Sequence, residues 1–326
     1  MTDTQAPLIE AEADDYDSGL ESASLASSTT SIASTIFKYR SEHGRTYHAY
    51  KDGAYAFPND DTELDRLDLQ HHQFSVTFDG KLFLASIPAE KILHRVLDVG
   101  TGTGIWAIDF ADMYPQSQVL GVDLSPVQPG FVPPNLLFQI DDIEEPWTYG
   151  QKFDFIYSRM MVGSLANVPR FFEQSFENLA PGGVLEMADI AYPAKLNGGD
   201  IPEDSQLYKW SIFFTEACAK AGRNANCARL YKTQMETAGF TNVVEKTLIW
   251  PTNRWPKDKK MKDIGMWTLE NLENGLEALS TALFTRVLGW EKEELDAFLV
   301  GVGKEMRDTK FHTYWDIIVV FGTKPE

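Results

Sequence analysis

Short apolar runs alternate with amphipathic segments between residues 95 and 190, and this alternation dominates the central part of the chain. The runs are continuously apolar, which is typical of strands that are buried on both faces. Segments with helical spacing follow at Ile105–Met113 and in VPRFFEQSFENLAPGG, which ends in a Pro-Gly-Gly turn. Strands that alternate with helices predict a parallel sheet with helices on both faces. The predicted strands are Arg95–Val99, QVLGVDLS, LLFQIDDI, KFDFIYSRM and VLEMADI.

The last third of the chain has a different pattern. Residues 204–222 and the segment ARLYKTQMETAGF predict two helices, and TNVVEKTLIW and FHTYWDIIVVFGTKP predict the last two strands. Between these strands lies an insertion at about 251–308, whose leucines recur three and four residues apart. This spacing predicts a helix that packs on the core. The leucines are Leu269, Leu272, Leu276, Leu279 and Leu283.

The first ninety residues precede the strands and fall into two parts. Residues 1–34 hold seven acidic residues, no Lys or Arg, and a Ser/Thr cluster, which predicts a disordered tail. Residues 35–90 are rich in aromatic and polar residues, with helical spacing at Leu64, Leu67 and Phe74, and predict an N-terminal helical cap. Residues 91–326 then form the main domain.

Composition excludes several classes of partner. The formal net charge is −19 at pH 7, which disfavours binding to nucleic acid or to acidic membranes. There is no apolar run of about eighteen residues and no signal-like start, so we expect an intracellular, cytoplasmic protein. Cys218 and Cys227 have no metal-type spacing, and no metal site is predicted.

Three glycines follow the first predicted strand, in LDVGTGTG. A strand, a glycine-rich turn and a helix place backbone N–H groups beside a crevice at the carboxyl ends of the strands. The spacing is G-x-G-x-G, and Ile105 stands where a dinucleotide site has its third glycine. No Lys follows as in a phosphate-binding loop, and Asp98 would repel a pyrophosphate. The loop therefore predicts a ligand that lacks phosphate and carries a positive group.

Acidic residues follow the next two strands. Asp123 ends the second strand, where a carboxylate accepts hydrogen bonds from ribose hydroxyls in nucleotide-binding sheets. Asp141 and Asp142 follow the third strand, where one of them can accept from the amine of an adenine while Ile143 donates its backbone N–H. A ligand with an amine, a ribose and an adenine but no phosphate fits S-adenosylmethionine.

The motifs LDVGTGTG, GVDLS, IDDIE and LAPGG resemble those of class I S-adenosylmethionine-dependent methyltransferases. Residues 44–72, 96–111, DLSPVQPGFVPPN and FDFIYSRMMVGS are similar to the fungal LaeA-like methyltransferases of secondary metabolism, and the resemblance covers residues 44–193. It implies a Rossmann-like sheet of seven strands, mostly parallel, with the last strand antiparallel.

The resemblance also implies the roles of individual residues. The methionine part of the cofactor would lie against Asp98 and the glycine loop, the ribose against Asp123, and the adenine against Asp141 or Asp142. Ser158 and Arg159 would lie beside the methyl group, and Tyr47 would close over the cofactor. The full set of expected cofactor residues is Tyr47, Asp98, Gly100, Thr101, Gly102, Gly104, Asp123, Leu124, Asp141, Asp142, Ile143, Ser158 and Arg159.

Two histidines at the end of the helical cap segment, His71 and His72, are the candidates for a general base. The alternative is a structural role at a helix C-terminus. Candidates to line an acceptor pocket are the large apolar residues near the fourth strand and in the insertion, and core packing is the alternative for each. They are Met160, Met161, Trp255, Met266, Trp267 and Trp290.

These patterns predict methyl transfer to a small molecule of secondary metabolism, directed to the oxygen of a phenol or a carboxylic acid. A second hypothesis is a LaeA-like regulatory protein that binds the cofactor and acts through protein partners, with a nuclear location. A dinucleotide oxidoreductase is a third hypothesis, and Ile105 and Asp98 speak against it. Protein partners and a homo-oligomer are left open.

Overall fold

The computed structural model describes residues 39–42, 44–47, 57–88 and 90–326. The predicted tail at 1–34 lies outside the described residues. The chain begins with a two-stranded antiparallel hairpin, β1 (Arg40–Glu42) and β2 (Arg45–Tyr47). Arg45 binds Asp60 through two hydrogen bonds of 2.5 and 2.8 Å, which ties this hairpin to the start of the first described helix.

A seven-stranded sheet forms the centre of the molecule, as predicted. Its spatial order is β5-β4-β3-β6-β7-β9-β8. The strands β3 to β7 run parallel, and β9 is antiparallel to both of its neighbours. The bounds are β3 (Arg95–Val99), β4 (Gln118–Asp123), β5 (Leu136–Ile140), β6 (Phe153–Arg159), β7 (Leu179–Leu196), β8 (Thr241–Pro251) and β9 (Thr313–Thr323).

Helices cover both faces of this sheet, which is the α/β architecture that the alternating pattern predicts. On β6, Phe155 and Tyr157 pack in a core with the first helix after the glycine loop, whereas Ile156 belongs to the core on the opposite side. The helices are α1 (Asp61–Thr77), α2 (Ile105–Met113), α3 (Val168–Asn178), α4 (Gln206–Lys220), α5 (Tyr231–Thr237), α6 (Lys259–Ala282) and α7 (Lys292–Arg307).

The predicted helical cap is helical only in part, because a hairpin precedes its helix α1. The sequence pattern missed β1 and β2, since strands of three residues are too short to show a period. Asp60 is the N-cap of α1, and its side chain accepts a hydrogen bond from the backbone N–H of Glu63.

The insertion packs its first helix, α6, along α1. Leu272, Leu276 and Leu283 of its leucine series are buried in the core. Polar side chains also cross this contact: Gln73 Nε2 donates to Thr268 Oγ1 at 2.8 Å, and Asn271 Nδ2 donates to Gln73 Oε1 at 3.0 Å. The insertion is therefore fixed to the cap by both apolar and polar contacts. The domain limits 35–90 and 91–326 remain sequence-based predictions.

The helices of the described segments include none that is both long enough and apolar enough to cross a membrane.

Glu186 on β7 makes stability depend on pH. It is fully buried, and burial raises the pKa of its carboxyl from 4.5 to about 8, although hydrogen bonds from the backbone N–H groups of Leu84 and Ala85 act in the opposite direction. A raised pKa in the folded state stabilises the fold below pH 4.5, and this contribution is lost as the pH rises through about 8.

We expect the unfolding free energy of the Glu186→Gln variant, measured by urea titration, to fall less between pH 5 and 8.5 than that of the unsubstituted protein. The matched control is the exposed Glu203→Gln, and an equal effect of the two variants would contradict the assignment.

Candidate functional site

A cavity opens at the carboxyl ends of β3, β4, β5 and β6, and we call it the main cavity. It holds about 1150 Å³ of space, part of which is open to solvent. In open α/β sheets this is the edge at which ligands bind. Of the predicted cofactor residues, it brings together on its wall Gly100, Thr101, Gly102, Asp123, Leu124, Asp141, Asp142, Ile143 and Arg159. Their roles toward a ligand stay predictions.

The glycine loop, residues 100–104, forms the wall of this cavity after β3. Gly100 and Gly102 have φ angles of +71° and +57°, a region that favours glycine. Gly100 N and Thr101 N both donate to the carbonyl of Val122 at 2.9 and 3.0 Å, which fixes the loop on β4. A Cβ at Gly100 would come within 2.5 Å of Met161 Sδ. The absence of a side chain at Gly100 therefore makes room for Met161 on the cavity wall.

Asp123 is held at the end of β4 by two backbone donors. Its Oδ2 accepts from Gly102 N at 2.8 Å, and its Oδ1 accepts from Ser125 N at 3.0 Å. These bonds couple the orientation of the carboxylate to the glycine loop. After β5, Asp142 Oδ1 accepts from Glu144 N at 2.9 Å, and this turn places its carboxylate on the same wall. The acidic groups thus lie at the β4 and β5 end of the main cavity.

Asp98 lies behind the cavity wall and not on it. It is 3% exposed, and its Oδ2 accepts from Thr101 Oγ1 at 2.6 Å. Burial raises the pKa of its carboxyl to about 6, while the hydrogen bond from Thr101 and the charge of Arg159 act in the opposite direction. In the structure Asp98 supports Thr101, and its role toward the methionine part of the cofactor stays a prediction.

Gly104 and Ser158, two other predicted cofactor residues, also lie off the wall. Gly104 has φ +84°, and a Cβ there would come within 2.3 Å of the Phe138 ring, so the glycine serves the packing of β5. Ser158 is fully buried and donates through Oγ to the carbonyl of Val99 at 3.0 Å, which links β6 to β3.

Tyr47, which was expected to close over the cofactor, is likewise absent from the cavity wall. It is 3% exposed, and its ring lies 5.0 Å from the Arg286 guanidinium. Its hairpin instead binds the wall through Asn59, whose backbone N–H donates to the Thr46 carbonyl at 2.8 Å. Asn59 and Pro58 line the main cavity.

The two candidate bases, His71 and His72, lie in different surroundings, and neither lines the main cavity. His71 is buried between Arg159, whose Nη2 is 2.8 Å from its Nδ1, and Asp109, whose Oδ2 is 2.9 Å from its Nε2. Both ring nitrogens are therefore occupied, which disagrees with a role as general base. His72 is exposed, and its ring packs on the Trp267 ring in a T-shaped arrangement with the ring centroids 4.8 Å apart. It has no contact with the main cavity either.

The predicted pocket residues separate into two groups. Met160 and Met161 line the main cavity. The other four do not line the main cavity: Met266 and Trp267 lie on α6, Trp255 lies before it and Trp290 lies after it. Trp255 donates through Nε1 to the Thr313 carbonyl at 2.8 Å, and Met266 is 37% exposed. Trp267 packs on His72, and Trp290 packs on Phe284 and Phe298.

A second cavity of about 570 Å³, which we call the inner cavity, adjoins the main cavity. Leu67, Gln70 and Met160 line both. Met160 has φ +54°, an uncommon conformation for a residue with a side chain and one that tends to occur at functional sites. Asp189 holds the following residues, since its Oδ1 accepts from Val162 N at 3.1 Å. Met160 is thus fixed at the boundary of the two cavities.

The wall of the inner cavity combines aromatic side chains with one ion pair. Arg66 donates to both carboxylate oxygens of Glu63, at 3.0 and 2.6 Å, and to Asn271 Oδ1 at 2.6 Å. All three residues are buried. The aromatic residues on this wall are Phe57, Tyr192, Phe214 and Trp250.

Sequence reasoning missed the contribution of α1 to both cavities. The sequence shows the helical spacing of Leu64 and Leu67. Gln70, one turn further along α1, also lines the main cavity. The three-residue steps from 64 to 67 to 70 are the signal that points to it. The described residues contain no group of three or more His, Cys, Asp or Glu that could hold a metal ion.

The class of the protein follows from a family comparison. Residues 69–245 match the family model described as a methyltransferase domain. This match covers the glycine loop and the strands β3 to β7. The chain belongs to the S-adenosylmethionine-dependent methyltransferases, it is a methyltransferase, and its cofactor is S-adenosylmethionine. The acidic groups at the ends of β4 and β5 fit such a nucleoside without phosphate.

Individual relatives come from fungal secondary metabolism. The chain is 38% identical over 300 residues to Methyltransferase pytC of Aspergillus terreus, covering 92% of each chain. It is also 38% identical to Secondary metabolism regulator LAE1 of Cochliobolus heterostrophus, covering 87% of this chain and 94% of that protein. Among solved structures, phosphoethanolamine N-methyltransferase 2 of Haemonchus contortus with S-adenosyl-L-methionine is similar over 93% of this chain and 75% of that chain, with 15% identity and a TM-score of 0.46.

Two glycines of the loop give opposite predictions. Gly104→Ala places a methyl against Phe138 at positive φ, and we expect it to lower the unfolding free energy by about 1–3 kcal/mol. Gly102→Ala meets only Leu67 Cδ1, at 3.4 Å, and both residues line the main cavity. We expect this variant to lose more cofactor affinity and less stability. Urea unfolding and calorimetry with S-adenosylmethionine measure the two effects, and the reverse pattern would contradict the placement of Gly104.

Proposed function

We propose that the protein transfers the methyl group of S-adenosylmethionine to an oxygen atom of a small molecule, a carboxylic acid or a phenol. The observation that carries this proposal is the inner cavity, which adjoins the main cavity at Leu67, Gln70 and Met160. A ligand in each cavity would meet its neighbour at this boundary. The cofactor supplies an electrophilic methyl on a sulfonium, and the chain supplies two fixed sites.

Positioning is the main contribution that these two cavities make. Holding two reactants in near-attack geometry can supply about 7–11 kcal/mol of a reaction barrier. The boundary residues are well suited to this, because Gln70 is 5% exposed and Met160 is fixed by the turn that Asp189 holds. An acceptor in the inner cavity is thereby directed to the end of the main cavity beside β6.

The groups that line the inner cavity favour an oxygen acceptor over an amine. Glu63 is paired with Arg66, and the described lining contains no histidine, lysine or cysteine. Burial raises the pKa of Tyr192 well above its ordinary value, so its hydroxyl stays protonated and is no base. An amine that arrives as an ammonium, or a phenol that arrives protonated, would have to lose a proton first. A carboxylate arrives as the nucleophile, and a carboxylic acid is therefore the acceptor that this wall suits best.

The aromatic residues of the inner cavity favour a flat apolar body on the acceptor. Phe57 and Phe214 stack with their ring centroids 6.5 Å apart, and Tyr192 and Phe214 lie 4.7 Å apart. Such surfaces accept another aromatic ring in stacked or edge-on geometry. We infer an aromatic carboxylic acid or phenol of fungal secondary metabolism as the acceptor.

A regulatory function is the second candidate, because the chain is as similar to a secondary metabolism regulator as to a methyltransferase. In that case the inner cavity would have no small-molecule acceptor. For either function we propose an intracellular location and no nucleic-acid or membrane partner, in accord with the net charge of −19.

A matched panel of acceptors tests the proposal. Purified protein is incubated with methyl-labelled S-adenosylmethionine and with carboxylic acids, phenols and amines built on the same aromatic rings. We expect label in methyl esters first, in aryl ethers second, and none in amines. Transfer to amines alone would contradict the oxygen preference. Cofactor binding without transfer to any small molecule would contradict the enzymatic proposal and favour the regulatory one.

Filling the inner cavity tests its role as the acceptor site. Leu279 on α6 lines this cavity and is only partly buried, so Leu279→Trp should fold and occupy the acceptor space. We expect methyl transfer to fall at least tenfold while the dissociation constant of S-adenosylmethionine is unchanged. Val300→Trp on α7 is the control, since Val300 is 74% exposed and lines neither cavity. Equal activity of the two variants would contradict the assignment.

A further inference from the structure

Charge is distributed unevenly along the main cavity. The acidic residues of its wall, Asp123, Asp141, Asp142 and Glu144, follow β4 and β5. Arg159 lies at the end of β6, which is two strands from β4 and three from β5, and it is the only cationic side chain among the described residues of this wall. S-adenosylmethionine carries one anionic group, the carboxylate of its methionine half. A nucleoside at the acidic end directs that half of the molecule toward β6.

Two side chains of α1, His71 and Phe74, hold Arg159 in place. Its Nη2 lies 2.8 Å from His71 Nδ1, and its guanidinium carbon lies 5.1 Å from the centre of the Phe74 ring. A guanidinium has donors and no acceptor, so Nδ1 must be the nitrogen with the lone pair. The Nε2 of the neutral ring therefore carries the hydrogen. The hydrogen bond from Arg159 thus determines the tautomer of His71, in which Nε2 carries the hydrogen.

Asp109 on α2 completes the arrangement. Its Oδ2 lies 2.9 Å from His71 Nε2 and accepts the hydrogen that this tautomer carries. Side chains from α2, α1 and β6 therefore form one chain of hydrogen bonds that ends on the wall of the main cavity. His71 has 9% of its side chain exposed and Asp109 has 47%, so the middle member is shielded from solvent. A ring buried in this way with both nitrogens bonded has little freedom to turn.

We propose that Arg159 binds the carboxylate of the methionine half of S-adenosylmethionine, and that His71 and Asp109 are positioning residues for Arg159. His71 takes one N–H of the guanidinium and leaves others on the same planar group for a ligand. A carboxylate is bound by arginine through two parallel hydrogen bonds, which require a fixed plane. The proposal concerns cofactor binding alone and does not depend on the acceptor.

Two ligands isolate the carboxylate. S-adenosylmethionine and its decarboxylated analogue share the adenosine, the sulfonium and the amine, and they differ in the carboxylate alone. Calorimetry without acceptor gives both dissociation constants. A hydrogen-bonded charge contributes about 1.5–3 kcal/mol, so Arg159→Gln should weaken S-adenosylmethionine about ten- to a hundredfold. Binding of the analogue should change by less than threefold. That ligand also reports whether the variant is folded.

Two variants of similar shape test the positioning role of His71. The side-chain oxygen of Asn takes the place of Nδ1 and can accept from Arg159, whereas the amide of Gln reaches the place of Nε2 and donates to Asp109. We expect His71→Asn to bind S-adenosylmethionine within about threefold of the unsubstituted protein and His71→Gln to bind it about tenfold more weakly. Neither variant should change the affinity for the analogue.

Several outcomes would overturn the proposal. If the Arg159→Gln variant binds S-adenosylmethionine with unchanged affinity, Arg159 does not bind the methionine carboxylate. The same conclusion follows if the variant loses affinity equally for S-adenosylmethionine and for the decarboxylated analogue. Equal affinities of the His71→Asn and His71→Gln variants would remove the positioning role. Because the measurement involves no acceptor, a failure of the proposed oxygen methylation leaves these results unaffected.

Discussion

The parallel register of four neighbouring strands determines where every charged group of the main cavity lies. β5, β4, β3 and β6 end at the same edge of the sheet, so residues that directly follow or end these strands meet there. Asp142, Asp123, the glycine loop and Arg159 consequently lie in the order of the strands. This order runs from acidic groups through bare backbone to a cation. A cofactor with a nucleoside at one end and an amino acid at the other matches that order.

Helix α1 connects this edge to the rest of the molecule. Gln70 lines both cavities, His71 contacts Arg159, and Gln73 binds α6 through Thr268 and Asn271. Positions 70, 71 and 73 face different neighbours because a helix turns about 100° per residue. A single helix thus joins the cofactor wall, the candidate acceptor space and the insertion.

The sequence predicts those parts of the site that depend on local order. The strand ends, the glycine loop and the acidic residues could be located because each motif stands beside its own strand. The sequence does not show that Asp98 supports Thr101 or that Gly104 makes room for Phe138. Both roles depend on neighbours in space. For the same reason the bonds of His71 could not be predicted, since its partners lie 38 and 88 residues away. On α6, packing against α1 decides which side of the helix faces a cavity, and the spacing of its residues alone does not show this.

A crystal structure with S-adenosylhomocysteine bound is the most direct measurement of this account. In that structure we expect the ribose hydroxyls to bind the Asp123 carboxylate and the adenine to lie beside Asp142 and Ile143. We expect the methionine carboxylate to bind Arg159. The thioether sulfur should point toward Met160 and the inner cavity. A nucleoside bound in the reverse direction, or bound away from the ends of β4 and β5, would contradict the central claim that strand order sets the orientation of the cofactor.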